Sequence, residues 1–151
     1  MQVTIHKGSH EIGGNCIQVS SEKTTILLDV GLPLSPDSRP VDVSRLTVDA
    51  VLVSHPHRDH FGLMARLPPD TPIYIGKLAR SLIDATQVFI GEDRYALDFH
   101  DFIAWQPFTI GDFTITPYLV DHSAVDAYAF LIEAEGKRLF YSGDLRSHGI
   151  A

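Results

Sequence analysis

The sequence predicts an α/β fold in which sheet-rich segments and short helices form layers. Two observations predict this class: short runs rich in β-branched residues recur along the chain, and two segments between them space apolar residues at the helical period. A third observation is the length of 151 residues, which suits one domain and allows about 70% of the unfolded surface to be buried. We therefore expect a single domain over residues 1–151.

The first third of the chain predicts mainly β-structure. Three runs rich in β-branched residues, bounded by turns, predict strands at 3–6, 16–19 and 25–29. The segment 33–40 (PLSPDSRP) contains three prolines and predicts an irregular loop. A short apolar run at 49–53 (DAVLV) then predicts a buried strand.

Helix and strand signals alternate in the middle of the chain. Residues 61–67 predict a short helix that the two following prolines stop, because proline cannot continue a helix. Residues 72–75 (PIYI) predict another buried strand. Residues 77–86 predict an amphipathic helix, and we expect its leucines Leu78 and Leu82 to pack into the core.

The last third predicts strands again. Three apolar, β-branched or aromatic runs predict strands at 113–119, 128–133 and 138–142. The Glu-Gly-Lys sequence at 135–137 predicts a hairpin turn between the last two strands.

The composition narrows the function classes. The net charge of -7 argues against a general polyanion-binding surface, although bound divalent metals would offset part of it. Cys16 is the only cysteine, so the chain contains no internal disulfide, and we expect Cys16 to be a packed strand residue. The sequence shows neither a signal-peptide pattern nor an apolar run near the ~20 residues that span a bilayer. It therefore predicts a cytoplasmic protein without a membrane partner.

A histidine-rich stretch, VSHPHRDHFG, follows the predicted strand at 49–53. His55 and His57 are two residues apart in an extended segment, so their rings project to one side and can converge on one ion. Asp59 and His60 come one step later, where the chain turns, and can face a neighbouring ion. Imidazole and carboxylate ligands suit zinc, while manganese and iron stay open as alternatives.

Two further residues follow predicted strands in the same way. His122 lies in VDHSAVDAYAF after the strand at 113–119, and Asp144 lies in LFYSGDLRSHG after the strand at 138–142. Each alone also fits a surface histidine or a turn aspartate. Their shared position favours a functional site, because active groups collect where loops leave one edge of a rigid sheet.

This set of residues resembles the metallo-β-lactamase superfamily, whose HxHxDH motif precedes a separate histidine and then a separate aspartate. The phrases EIGGNC, DHSAVDAYAF and YSGDLRSHG are similar to their counterparts in the ribonuclease J and β-CASP-type branch. The resemblance covers nearly the whole chain. It implies a metallo-β-lactamase-like αββα sandwich, of which we expect only the N-terminal portion here.

The resemblance implies a site for two zinc ions, with manganese as a possible replacement. The implied metal ligands are His55, His57 and His122 for one ion, Asp59 and His60 for the second, and Asp144 as the bridge. Asp29, at the end of TTILLDVG, would hold the metal loop in place without touching the metal.

The resemblance also implies a hydrolase that uses a metal-bound hydroxide, with Asp59 and Asp144 as catalytic carboxylates and RNA-type phosphodiesters as substrates. Two alternatives stay open. One is a hydrolase of small esters, thioesters or lactones, and the other is a non-catalytic fragment that acts as an interaction module. A basic, aromatic-lined groove would favour the phosphodiesterase, and an apolar pocket would favour the second class.

The chain departs from the family pattern downstream of Asp144. The family has a final histidine ligand on a much later loop, whereas only His148 follows here, four residues on. His10, in a glycine-rich loop, is the other candidate. We therefore expect the second metal position to be weak or empty and catalysis by the isolated chain to be poor.

The same departure predicts a missing second sheet layer and an exposed apolar face. The residues expected on that face are Phe130, Ile132, Leu139 and Tyr141. Such a face predicts a homodimer or a separate C-terminal half as partner.

Overall fold

The computed structural model describes residues 1–146, which form two stacked β-sheets with a helical layer on one outer side. One apolar cluster lies between the first sheet and the helical layer, and a second lies between the two sheets. The described layers are therefore α, β and β, in agreement with the predicted sheet-rich α/β class.

The first sheet has six strands in sequence order, β1 to β6. The first three are antiparallel, and β3 to β6 are parallel. Their bounds are Gln2–Lys7, Cys16–Ser20, Thr25–Leu28, Ala50–Leu52, Ile73–Gly76 and Phe99–Phe102. The first five correspond to predicted strands, whereas β6 was not predicted.

The second sheet has four antiparallel strands in the order β10-β9-β8-β7. Their bounds are Phe108–Ile110, Phe113–Leu119, Tyr128–Ala134 and Lys137–Tyr141 for β7 to β10. The predicted hairpin turn is present between β9 and β10, where Glu135 and Gly136 have positive φ angles. The expectation that this sheet is missing was wrong.

The apolar face expected to be exposed is instead buried between the two sheets. Phe130 and Ile132 are fully buried between the sheets, and Leu139 and Tyr141 pack against the same cluster. Period-two alternation places these residues on the inner face of the second sheet, where the first sheet covers them. The exposed apolar residue of β10 is its neighbour Phe140, on the opposite face.

The helix predicted at 61–67 is also different in the structure. Helix α1 spans Arg58–Phe61, and a separate 3-10 turn spans Met64–Arg66. The helix starts inside the histidine motif because His57 has an extended backbone and its carbonyl accepts the amides of His60 and Phe61. Three of the motif's residues therefore lie on a helical turn rather than in a loop before it.

Helix α2 spans Lys77–Phe89, three residues longer than predicted. Its buried face consists of Ala79, Ile83 and Gln87. The expected core residues Leu78 and Leu82 are instead 59% and 46% exposed, so that prediction was wrong. Leu78 and Leu82 belong to a second apolar stripe of the helix, whereas the sheet covers only the face with Ala79 and Ile83.

The first turn of α2 is capped from the second sheet. Gly76 at the N-cap offers no side chain, and Asp126 Oδ2 accepts the amides of Leu78 and Ala79 at 2.8 and 3.0 Å. Asp126 also accepts the hydroxyl of Tyr128 on β9. This carboxylate thus joins the helical layer to the second sheet by satisfying amides that a helix start leaves unpaired.

A hydrogen-bonded loop fixes the motif against β3. The amides of Val30 and Leu32 donate to the carbonyls of His60 and Arg58. Gly31 between them lies so close that an added Cβ would be 1.7 Å from the carbonyl oxygen of Asp59. Glycine is required here because the backbone of the metal motif occupies the space of a side chain.

Replacing Gly31 by alanine should therefore destabilise the protein and displace the motif. Gly136→Ala is the control for a glycine whose added Cβ meets no atom within 4 Å. Its positive φ angle adds a backbone cost that Gly31→Ala lacks, so the comparison underestimates the effect of the clash at Gly31. We expect Gly31→Ala to lower the free energy of unfolding by at least about 2 kcal/mol more than the control. Urea denaturation measures both variants, and equal losses would contradict this role of Gly31.

Candidate metal centre

The candidate ligands and Asp29, which supports them, lie at the carboxyl ends of four strands that share one edge of the molecule. Asp29 follows β3, the histidine motif follows β4, His122 follows β8 and Asp144 follows β10. Strands β3 and β4 are parallel, and β8 and β10 run in the same direction because both are antiparallel to β9. The topology therefore collects residues from both sheets at one place.

Three imidazole rings converge at this edge. His57 Nδ1 lies 3.1 Å from His55 Nε2 and 3.3 Å from His122 Nε2. His55 is fully buried, and the other two histidines are partly buried. Three nitrogen atoms on three rings thus face one small volume.

A second group lies beside the first. His60 Nε2 is 3.5 Å from Asp144 Oδ1 and 3.7 Å from Asp59 Oδ2. The other oxygen of Asp144, Oδ2, is 3.7 Å from His122 Nε2. Asp144 therefore points one oxygen to each group, which is the arrangement that a bridging ligand needs.

Asp29 fixes the motif through hydrogen bonds to its carboxylate. Its Oδ1 accepts the amide of Ser54, and its Oδ2 accepts the Ser54 hydroxyl, the Tyr141 hydroxyl and His60 Nδ1 at 2.6–2.8 Å. The side chain has no solvent exposure. Burial alone would raise the pKa of Asp29, but the hydrogen bond and charge of His60, with the Ser54 and Tyr141 donors, outweigh it and lower the pKa.

The same hydrogen bonds fix the ring tautomers. His60 donates from Nδ1 to Asp29, so the neutral form of this ring has its lone pair on Nε2. Ser54 Oγ donates to Asp29, so it accepts from His55 Nδ1, and His55 Nε2 also keeps its lone pair. Both rings therefore present an acceptor nitrogen to the site, as a metal ligand must.

The pKa values of the histidines differ with their surroundings. Burial, with the charge of neighbouring His60, lowers the pKa of His55 to about 3, so this ring stays neutral. Burial also lowers the pKa of His122, despite the opposing charge of Asp144. For His60 the effect of burial is smaller than that of Asp29, Asp144 and Asp59, which together raise its pKa. A neutral imidazole is the form that binds metals.

The donor set fits a divalent metal ion. Bonds of about 2.0–2.1 Å in a tetrahedral site place ligand nitrogens about 3.3–3.4 Å apart, close to the separations among the three histidines. The ligand atoms of His55, His60 and Asp144 form a second group, all within 4.8 Å of one another. That group includes His55, whereas the sequence predicted Asp59 as a ligand of the second ion. Asp59 Oδ2 lies 3.7 Å from His60 Nε2 and so stays beside this group.

Three residues that support the site were not predicted from the sequence. Ser54 connects His55 to Asp29, Tyr141 donates to Asp29 from β10, and Arg146 donates to the carbonyl of His122. Ser54 precedes the motif directly and Tyr141 stands three residues before Asp144, so their positions beside ligands were the available signal.

The other histidine candidates are not part of either group. His10 is exposed and does not belong to the two ligand groups of residues 1–146. His148 lies outside the described residues. Cys16 is fully buried, and burial raises the pKa of its thiol to about 12, which fits the expected packed residue. No helix in the described part of the chain has the length and apolarity that a membrane crossing requires.

Comparisons with known proteins show the family and the fold of the chain. A family model described as the beta-lactamase superfamily domain matches residues 24–149. Ribonuclease J of Helicobacter pylori is 24% identical over 159 residues, which cover 97% of this chain but only 23% of that protein. The chain thus spans about a quarter of this relative's length.

Two solved structures show the same fold. A protein of unknown function from Enterococcus faecalis V583 superposes with a TM-score of 0.82 at 24% identity, over 97% of this chain and 44% of that one. Zinc-bound PqqB from Methylobacterium extorquens superposes with a TM-score of 0.60 at 20% identity, over 83% of this chain and 51% of that one. These neighbours confirm the predicted fold class, and the ribonuclease J relative confirms the predicted resemblance.

Removing the charge of Asp29 should weaken metal binding although Asp29 touches no metal position. In Asp29→Asn the amide cannot accept all four donors, so His60 and Ser54 lose their orientation. We expect the zinc dissociation constant to rise about 10–100-fold, the range for residues that orient ligands. Asp49→Asn is the control, since Asp49 accepts one backbone amide far from the histidines. Competition with a fluorescent zinc chelator measures both, and parent-like affinity in Asp29→Asn would contradict this role.

Proposed function

Because this chain belongs to the beta-lactamase superfamily, we propose that it binds two divalent metal ions, preferably zinc, and hydrolyses RNA-type phosphodiesters. One observation carries the proposal: three imidazole nitrogens converge beside a carboxylate that points one oxygen to a second, neighbouring ligand group. The similarity to ribonuclease J supports the phosphodiester class. The activity and substrates of that longer protein are proposals for this chain.

The metal ligands divide as follows. We assign His55, His57 and His122 to the first ion, His60 and Asp59 to the second, and Asp144 to both. Bound metal ions of this kind supply a water of lowered pKa and stabilise negative charge on the attacked phosphoryl group.

The side chains of the chain itself supply orientation and proton transfer. His55 and His60 are held by Ser54 and Asp29, so their acceptor nitrogens stay aimed at the site. Asp59 is partly exposed and its Oδ2 lies 3.7 Å from His60 Nε2, which supports a role for this carboxylate as a proton acceptor in hydrolysis. Asp144 fixes the spacing of the two ligand groups.

One charged side chain of the motif favours a phosphodiester, whereas the partly apolar pocket beside the motif is the feature expected of the alternative ester hydrolase. The net charge of the chain is -7, yet Arg58 lies inside the motif, between His57 and Asp59. A guanidinium pairs more strongly with an anionic phosphate oxygen than with the neutral carbonyl oxygen of an ester or a lactone. The homodimer or separate C-terminal half expected from the sequence stays a prediction.

Metal content and activity test the proposal together. The purified chain should bind zinc, and His57→Ala should weaken binding at least about a hundredfold because three protein ligands at the first position become two. Hydrolysis of bis-p-nitrophenyl phosphate should be slow, should stop with a chelator and should return with zinc or manganese.

His10→Ala is the matched control, because it removes an exposed histidine outside both ligand groups. Unchanged metal content in His57→Ala would contradict the ligand assignment. Hydrolysis that survives complete metal removal would contradict the metal-dependent chemistry. Faster turnover of a thioester or a lactone than of the phosphodiester would favour the alternative function, a hydrolase of small esters, thioesters or lactones.

A further inference from the structure

A pocket of about 320 Å³ lies between the metal motif and the second half of α2. Its apolar and aromatic walls come from Pro56, Phe61, Leu82, Ile83, Ile90 and Tyr95. Its polar groups come from Arg58, Thr86, Gln87 and Glu92. The volume is at the lower end of the range for pockets that hold small organic ligands.

The pocket is connected to the metal centre through the motif itself. Pro56 and Arg58 line it, and along the chain they alternate with His55, His57 and Asp59. Arg58 is exposed and makes no ion pair or side-chain hydrogen bond within residues 1–146. A cation without a partner in the described residues therefore lies on the pocket wall, and in sequence it stands directly between His57 and Asp59.

A carboxylate lines the same pocket without pairing with this cation. Glu92 Oε2 accepts Gln87 Nε2 at 3.0 Å, and Gln87 is buried, so the carboxylate is oriented while Oε1 has no partner in the described residues. Tyr95 lies near both charges: burial raises the pKa of its phenol, the charge of Arg58 opposes this, and that of Glu92 adds to it. The pocket thus combines a positive group, a negative acceptor and apolar walls.

We propose that this pocket binds a nucleotide unit of the substrate strand, with the base between the apolar walls and its phosphate at Arg58. A base has a planar apolar body that packs on aromatic and aliphatic side chains, and its N–H edge donates to a carboxylate such as Glu92. The phosphate pairs with the guanidinium next to the metal ligands. The proposal rests on the proposed function, since it places one nucleotide beside the phosphodiester to be cleaved.

Titration with three small probes tests the proposal on the purified, metal-loaded protein. The probes are GMP, guanosine, which lacks the phosphate, and ribose 5-phosphate, which lacks the base. GMP is chosen because guanine presents two adjacent N–H donors to a carboxylate. We expect GMP to bind at least about tenfold more tightly than ribose 5-phosphate, as judged by isothermal titration calorimetry, because base packing adds on the order of 1–3 kcal/mol.

A matched pair of variants on α2 locates the base. Leu82 lines the pocket and Leu78 does not, although both are exposed leucines one helical turn apart. Leu82→Asp should abolish the advantage of GMP over ribose 5-phosphate, whereas Leu78→Asp, with the same added charge, should keep it. Arg58→Gln should weaken GMP and ribose 5-phosphate but leave guanosine unchanged.

The outcomes separate this proposal from the proposed function. Equal affinity for GMP and ribose 5-phosphate, or equal loss in both leucine variants, would overturn the nucleotide pocket. Failure of the metal centre would instead appear as absent zinc, while guanosine binding and its dependence on Leu82 would persist. Thermal unfolding of each variant shows whether a loss of binding reflects a loss of fold. Glu92→Gln keeps the shape of the side chain and gives a second check. It should weaken the binding of guanosine and of GMP to the same extent.

Discussion

The buried carboxylate of Asp29 is the interaction on which the candidate site depends. A buried charge is costly unless its hydrogen-bonding capacity is satisfied, and Asp29 accepts four donors from β10, from the segment after β4 and from α1. Those donors belong to Ser54, His60 and Tyr141, so one side chain holds both sheets and two ligand histidines in register. Asp29 itself has a φ angle of 58°, a strained conformation for a residue other than glycine. The surrounding hydrogen bonds maintain this backbone turn, which directs the carboxylate under the motif.

The two sheets contribute unequal parts of the site, and their packing sets its geometry. The first sheet supplies the motif after β4, which α1 and the contacts of Gly31 fix against β3. The second sheet supplies His122 and Asp144 from strand ends, and the aromatic residues of the cluster between the sheets align these strands with the first sheet. Tyr141 connects the two parts directly, because it belongs to β10 and donates to Asp29. Displacement of one sheet would therefore separate the ligand groups.

The sequence predicted which candidate ligands lie close together better than it predicted the packing around them. Residue spacing identified the motif, and strand-end position identified His122 and Asp144, because chemistry restricts which side chains can bind a metal. Core packing was harder to predict: Leu78 and Leu82 fit the helical period but belong to the stripe that the sheet leaves uncovered. Likewise, the alternation of side chains in β9 and β10 separates the two faces of the sheet. It does not predict which of these faces packs against another sheet. Ser54 and Tyr141 were missed because hydrogen bonds between distant segments leave little trace in a single sequence.

Crystallographic location of the bound metal tests whether the three converging histidines form a metal site. Anomalous difference maps recorded above and below the zinc absorption edge, on crystals grown with zinc, distinguish a metal ion from water at each position. We expect a peak bonded to His55, His57 and His122, with any second peak beside His60 and bridged by Asp144. Zinc bound only elsewhere, for example at His6, His10 or His100, with the three converging imidazoles bonded to no metal, would contradict it.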